Sequence, residues 1–453
     1  MPKKPSTRIP RRRFLANSLR RGAGLTLGLP LVACPHVLGA EKDRLRVGCI
    51  GVGGMGGGDL REVSADPMVD IVGLCDVDQH RLFEALKQHP KATPHVDWRE
   101  LLERKDIDAV TVSTPDHTHA PASMTALRSG KHVYCQKPLS HSVYESRQVR
   151  LAARETGLVT QMGIQLHSEA GYQNLVEWIR GGVIGKVIEV HAWSDRPLNH
   201  WPQGRNTVRP ARADPVADCL KWDIWLGVAP VRPFVHEVYH PKNWRGWIDF
   251  GTGAQGDMGC HIYDPVVWSL RLTAPEKLVS RGPKPNGHTY PAWSTVHYTF
   301  PGNELTAGKK LPVTWYDGGK KPDAKLVPLS AGQELPSNGQ LFVGERGVLL
   351  CPHGDAPMLL PEEKFKGVPS PGRQRKNHYL EWTRACRGEG ATTASFEYSG
   401  PLTESVLLGN AVLNFPDKEL HWDSAGLRFS NEPDIASVIR REYRDGWKIP
   451  GLS

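Results

Sequence analysis

The chain has 453 residues, 39% of them hydrophobic and 23% charged, which is enough apolar length for two cores and too long for one ordinary domain. Its formal charge is +9, yet Lys3, Lys4, Arg8, Arg11, Arg12, Arg13, Arg20 and Arg21 all fall in the first 40 residues, which hold no acidic residue; with those eight set aside, 49 of the 57 basic residues face 48 acidic ones. A nearly neutral body does not suit a phosphate backbone, where affinity comes largely from charge neutralisation, so nucleic acid is excluded as an expected partner.

The basic N-terminus has its own explanation. Residues 10–16 read Pro-Arg-Arg-Arg-Phe-Leu-Ala and precede a weakly apolar, Gly-rich stretch at 22–32 that is too short to span a bilayer. The run resembles a twin-arginine export signal, which implies the twin-arginine machinery as a partner of the precursor and a periplasmic destination. Cleavage can follow Ala40; alternatively Leu31-Val32-Ala33-Cys34 reads as a lipobox that would leave Cys34 as a lipid anchor. No later segment approaches a transmembrane span. The eight cysteines form no CxxC pair and no ligand cluster, so neither a metal site nor a disulfide framework is expected.

Beyond the signal, residues 45–51 form a short apolar strand that runs into Gly51-Val52-Gly53-Gly54-Met55-Gly56. A helix over 55–64 and a second strand over 70–74 follow, ending in Cys75-Asp76. GxGxxG alone is a weak signal, but a strand before it, a helix after it and an acid 20 residues past Gly56 together match a dinucleotide fold. The glycines let the backbone approach a pyrophosphate at the helix N-terminus. Asp76 would accept hydrogen bonds from the adenosine ribose and repel a 2′-phosphate, favouring NAD over NADP, although Arg81 lies close enough to swing in. Strands at 107–113, closed by Thr114-Pro115, and at 131–135, leading to Gln136-Lys137-Pro138, flank a helix over 119–129. This alternation predicts an α/β fold, a Rossmann doubly wound parallel sheet with Gly51, Asp76, Thr114 and Lys137 on one edge.

The expected organisation is an export signal at 1–40, a dinucleotide-binding domain at 41–162 and a substrate-binding and oligomerisation domain at 163–453. The last reads as α+β with an open, mostly antiparallel sheet: a helix over 170–180, a strand over 186–193, a Pro- and Trp-rich insertion to about 250, a helix carrying Asp257, strands at 294–300 and 347–351, and helices at 377–386 and 403–413. Seven of the 14 tryptophans lie between Trp193 and Trp268, interleaved with Arg196, His200, Arg205, Arg209 and Arg245. They read either as core and oligomer-interface anchors or, as a group, as a pocket whose aromatic faces pack on a pyranose or glycoside. A homo-oligomer is expected.

Gly51-x-Gly53-x-x-Gly56, Thr114-Pro115-x-x-x-His119, Gly130-Lys131-His132-Val133, Gln136-Lys137-Pro138 and the later run from Gly251 through Asp257 to His261 resemble the Gfo/Idh/MocA family of oxidoreductases. The resemblance implies Lys137, Asp257 and His261 as the catalytic set. For the cofactor it implies Gly51, Gly53, Gly54, Met55, Gly56, Asp76, Thr114, Pro115, His119, Lys137 and Gln165, the last facing the nicotinamide. One departure is Gln136, where the family usually has Glu; the lost charge is expected to alter how the lysine is tuned.

The residue chemistry agrees with this set. Removing hydride from a secondary alcohol needs a base for the hydroxyl proton, and histidine titrates in the useful range. Asp257 and His261 stand i, i+4 apart, so on a helix the carboxylate can orient the imidazole, while Pro265 should kink or loosen that helix. His117 and His119 with Asp116 read as packing around the cofactor rather than as metal ligands. The function expected is an exported NAD-dependent oxidoreductase acting on a secondary hydroxyl of a sugar or glycoside, with its cofactor tightly bound. Alternatives are a redox-neutral, NAD-dependent glycoside hydrolase working by oxidation and elimination, and a non-catalytic dinucleotide-binding sensor or structural subunit.

Overall fold

The first sheet is built around short apolar central strands buried on both faces, the pattern of a parallel sheet covered by helices. The computed structural model describes residues 44–329, 332–432 and 435–453. The export-signal reading and Cys34 therefore lie outside the described residues. Strands β1 (Leu45–Ile50), β2 (Val69–Cys75), β3 (Thr93–His95), β4 (Ala109–Val112), β5 (His132–Gln136) and β6 (Thr160–Gly163) make a six-stranded sheet in the order β3-β2-β1-β4-β5-β6. Every pairing in it is parallel. Helices α1 (Met55–Ser64), α2 (Gln79–Gln88), α3 (Trp98–Glu103), α4 (Asp116–Arg128) and α5 (Val143–Thr156) cross between the strands. Local chemistry starts these helices: the Asp78 and Asp97 side chains cap α2 and α3, and Ser142 with Glu145 forms a capping box on α5.

The second sheet has nine strands, and its helices fall before the first strand and in two breaks of the strand series rather than between all strands. After α6 (Ala170–Arg180), β7 (Val187–Trp193) enters it; the insertion that follows holds α7 (Trp222–Leu226) and leads into α8 (Gly253–Leu270). Then come β8 (Lys277–Arg281), β9 (Thr295–Pro301), β10 (Lys310–Tyr316), β11 (Gly339–Gly344), β12 (Gly347–Pro352) and β13 (Met358–Leu360), a one-turn α9 (Glu362–Phe365), α10 (His378–Cys386), α11 (Phe396–Val412), β14 (Leu420–Asp423) and β15 (Arg428–Phe429). The order is β13-β12-β11-β7-β10-β9-β8-β14-β15, antiparallel except where β10 lies parallel to β7. This is the open, mostly antiparallel sheet expected from the strand-like runs of the sequence. Pro265 does not break α8, which runs through it from Gly253 to Leu270. The late helix expected at 403–413 begins earlier, at Phe396, because Phe396 and Leu402 are fully buried and extend its apolar face.

Two segments cross back to the first sheet. Helix α10 sets Tyr379, Trp382 and Cys386 into the apolar cluster formed by β1, β2 and α1, while Thr383 and Arg387 bond to Asp66 at 2.5 and 2.8 Å. The insertion does the same on the ligand edge: Leu220 bridges Asp78, Gln79 N donates to the Cys219 carbonyl at 2.9 Å, and Lys221 N donates to that of Val77 at 2.9 Å. Among the described residues no helix is long and apolar enough to cross a membrane.

Candidate active site

The turn after β1 can close only with glycine. Gly51 has φ +79°, and a Cβ there would stand 2.5 Å from the Ser113 carbonyl oxygen. At Gly56 a Cβ would fall 2.0 Å from the Gly51 carbonyl oxygen. Both clashes are with backbone, so no side chain can move aside to relieve them. The tight turn opens α1 onto a cleft of about 340 Å³, whose lining includes Gly51, Gly53, Gly54, Met55, Asp76, Thr114, Pro115, His119 and Lys137. Thus most of the predicted cofactor set converges on the carboxyl edge of the parallel sheet. The cradle fits a dinucleotide: a helix N-terminus with glycines that leave room for a pyrophosphate, and an acid at the end of the second strand. Asp76 is fixed there by the amides of Val52 and Asp78 at 3.0 and 2.9 Å, and burial raises its pKa. Arg81 lies across Gly53 and pairs with Asp78 at 3.3 Å.

Lys137 lines this cleft together with Asp257 and Arg245. Its Nζ donates to Asp257 Oδ1 at 2.7 Å, and Arg245 Nε donates to the same oxygen at 3.2 Å. Burial alone would lift the Asp257 pKa, but the Lys137 ammonium and the Arg245 guanidinium hold its carboxyl well below the ordinary carboxylate range. The expectation that Asp257 orients His261 is corrected here. The carboxylate is taken by two cations, and His261 Nδ1 is buried with no hydrogen-bond partner among the described residues. Arg245, one of the arginines interleaved with the tryptophans, completes this ion triad and stacks on Trp244 at 4.4 Å.

Burial, with Lys137 and His353 nearby, pushes the His261 pKa well below 6.5. Its free base is therefore present throughout the neutral range, and protonation requires a lower pH. The acid limb of kcat/KM should accordingly fall below pH 6.5, with activity nearly level between pH 7 and 6.5. A limb above pH 7 in a pH–rate profile would contradict the assignment.

Gln136 is explained by a residue that sequence reasoning passed over. Asp59 on α1 is fully buried and accepts from Gln136 Nε2 (3.0 Å to each oxygen), Ser113 Oγ (2.7 Å) and Tyr379 Oη (2.7 Å). A Glu at 136 would set a second carboxylate against Asp59, whereas the amide donates to it. The lost charge is balanced against Asp59, while the charge partner of Lys137 is Asp257. Gln165 belongs to the same network, donating to Tyr134 Oη and Tyr379 Oη at 3.1 Å each, and it does not line the cleft as expected of a nicotinamide contact. His119 braces the site from below. Its ring nitrogens face the carbonyls of Thr114 and Pro138, each at 2.7 Å, tying the β4 turn to the segment that carries Lys137. His117 likewise faces the carbonyls of Phe250 and Trp225 at 3.2 and 2.8 Å. Among the described residues no three His, Cys, Asp or Glu side chains group as a metal site.

The tryptophan-rich insertion forms a packed aromatic cluster, the first of the two readings given above. Trp225, Trp244 and Trp247 are buried in a cluster of their own with Tyr239 and Phe250, against which Trp222 packs. Their collective product is a wall: Ile224, Trp225, His240, Pro241 and Lys242 line the cofactor cleft opposite the glycine turn. His240 Nε2 closes the wall onto Asp78 Oδ2 at 3.1 Å.

Models of one oxidoreductase family match both halves of the chain: its NAD-binding Rossmann fold over residues 45–164 and its C-terminal alpha/beta domain over residues 173–305, together more than half of the sequence. The chain belongs to the Gfo/Idh/MocA family. Similar curated Gfo/Idh/MocA relatives include the inositol 2-dehydrogenase of Salmonella typhimurium, 29% identical over 150 residues, or 32% of this chain and 45% of that protein. A glycosyl hydrolase family 109 protein of Shewanella pealeana is 30% identical over 208 residues, 41% of this chain and 46% of that one. The chain thus spans about half the length of the curated relatives it matches. Among solved structures, the WlbA dehydrogenase from Bordetella pertussis in complex with NADH and UDP-GlcNAcA aligns with a TM-score of 0.60 at 15% identity, covering 84% of this chain and 99% of that one. At that identity the likeness concerns the Gfo/Idh/MocA fold.

Proposed function

We propose that the protein is an NAD-dependent oxidoreductase that oxidises a secondary hydroxyl of a polyhydroxylated substrate, a sugar or glycoside. The observation that carries this reading is the Lys137–Asp257 pair at 2.7 Å lining the same cleft as the glycine turn and Asp76, with His261 one helical turn beyond Asp257. Bound NAD supplies the hydride acceptor. Lys137 holds the substrate oxygen and stabilises negative charge on it; Asp257 and Arg245 fix where that ammonium stands. His261, neutral and one helical turn beyond the cleft-lining Asp257, takes the hydroxyl proton. Asp76 favours NAD over NADP through the ribose contact.

A second reading is favoured by similarity to the family 109 glycosyl hydrolase. Oxidation at a ring carbon acidifies the neighbouring C–H, the aglycone is eliminated, water adds and the same cofactor returns the hydride. Mass analysis of products from a panel of free sugars and glycosides separates the two. Oxidation yields a product lighter by two hydrogens, and redox-neutral hydrolysis yields a free sugar with no net reduced nicotinamide.

The Arg11-Arg12 motif supports export in folded form, with a periplasmic enzyme loaded with NAD before it leaves the cytoplasm. The wall of residues 219–245 over the cleft supports the retention such an enzyme needs, since no pool of NAD waits outside. Purified protein is accordingly expected to carry NAD without supplementation. On this reading the retained NAD serves two half-reactions, oxidising one sugar and reducing another or oxidising and re-reducing the same ring; denaturing the protein and assaying the supernatant for nicotinamide cofactor checks it, and cofactor-free protein that needs added NAD for each cycle would defeat it.

A further inference from the structure

One imidazole near the site has no role in the mechanism above. His353 follows β12, which lies between β13 and β11 in the nine-stranded sheet, its backbone amide donating to the Asn338 carbonyl at 3.0 Å. Asn338 also ties down the end of β7, accepting at Oδ1 from Ser194 Oγ and the Asp195 amide at 2.7 and 3.0 Å. Three strand ends thus meet at this point on a braced scaffold, as a substrate-contacting group requires. The His353 ring faces that of His261 at a centroid separation of 5.7 Å and an angle of 55°. Its Nδ1 is engaged by the Tyr172 hydroxyl at 3.3 Å, and Tyr172 is itself buried on α6, so the ring has a fixed orientation. Nε2 is the nitrogen left for a ligand.

The electrostatics fit a neutral group. Burial, with Arg196 and Lys137 in reach, lowers the His353 pKa to about 4, so at neutral pH the ring can exchange a hydrogen bond with a hydroxyl without adding charge to the site. Two imidazoles at this separation can each reach one of two adjacent hydroxyls with N···O of about 2.8 Å. On the oxidoreductase reading, His261 already accounts for the hydroxyl that is oxidised. We propose that His353 is a substrate-contacting, specificity-determining residue that holds through Nε2 the hydroxyl adjacent to the oxidised one, so that the site selects a vicinal diol on a ring. This inference rests on the function proposed above and extends it from secondary alcohols in general to one pattern of neighbouring hydroxyls.

The test uses the NAD-loaded full chain with myo-inositol and the methyl glycosides of glucose, galactose and N-acetylgalactosamine, and then the monodeoxy analogues of whichever is turned over. His353→Phe removes the hydrogen bond and keeps an aromatic ring; His353→Gln restores a polar group. Losing one hydrogen bond to substrate should raise KM about tenfold with kcat changed less. NAD content and melting temperature serve as controls for folding. Against the analogue lacking the adjacent hydroxyl, wild type and His353→Phe should converge to within about twofold, because the partner is already gone. Partial recovery by His353→Gln on the full diol completes the expected pattern. Equal losses on diol and deoxy substrates, or no loss at all, would overturn the role of His353 while leaving the oxidoreductase reading intact. Wild type inert toward every polyol with NAD bound would overturn the reading itself, and this inference with it.

Discussion

Replacing His261 with Ala is expected to lower turnover by about 10²–10⁴-fold, the usual contribution of a positioned general base, while leaving dinucleotide affinity unchanged. Lys137→Ala should lose activity on the same scale and should differ in stability. Asp257 is largely withdrawn from water and shares one oxygen between Lys137 and Arg245. Removing the ammonium leaves a buried carboxylate with one cation, a change that can cost about 3–5 kcal/mol for a fully buried pair and less here, where the site opens onto the cleft. The double variant Lys137→Ala/Asp257→Asn should therefore recover melting temperature without recovering activity. Thermal melts and steady-state kinetics on the four proteins check this. An active His261→Ala enzyme would remove His261 from proton transfer, and a double variant no more stable than Lys137→Ala would show that the ion triad does not matter to folding.

Gly56→Ala should abolish tight dinucleotide binding with the catalytic groups untouched. The added Cβ meets the Gly51 carbonyl oxygen at 2.0 Å and its carbon at 2.8 Å, so the turn itself has to open. Overpacking of this kind costs about 1–3 kcal/mol, and here the strain falls on the backbone that approaches the pyrophosphate. Titration of NAD into stripped protein, followed by tryptophan fluorescence, is expected to show affinity weakened by at least about tenfold, equivalent to some 1.4 kcal/mol. Affinity equal to wild type would mean that the dinucleotide does not lie on this turn.

The first sheet was legible because its signals are local. A strand, a glycine turn and an acid at fixed spacing occupy 32 consecutive positions from Leu45 to Asp76, and β4 announces itself by a β-branched run and β5 by the apolar Val133-Tyr134-Cys135. What could not be read depends on contacts across hundreds of residues. Asp59 looks like an ordinary polar residue of an N-terminal helix, and only the return of α10, bringing Tyr379 to it over a separation of 320 positions, makes it the buried hub that accounts for Gln136. The i, i+4 spacing of Asp257 and His261 correctly put both on one helix. It could not show that Lys137 and Arg245, arriving from other elements, would take the carboxylate first. The tryptophans carried an ambiguous signal, since aromatic density suits a sugar pocket and a packed wall equally well; the structure packs the central four into one cluster, of which Trp225 and Trp244 also line the cleft. His353 had no motif around it, and its significance comes from the ring it faces.

The most direct test of the account is a single-turnover experiment on the NAD-loaded protein, mixed rapidly with each member of a polyol and glycoside panel while the absorbance band of reduced nicotinamide is followed. The account predicts that at least one member produces the band within the first turnover. The band would persist if oxidation is the net reaction and decay if the same ring is re-reduced, and in His261→Ala it would be absent or slower by about 10²-fold or more. NAD retained in the cleft with no reduced nicotinamide formed from any member of the panel would contradict it.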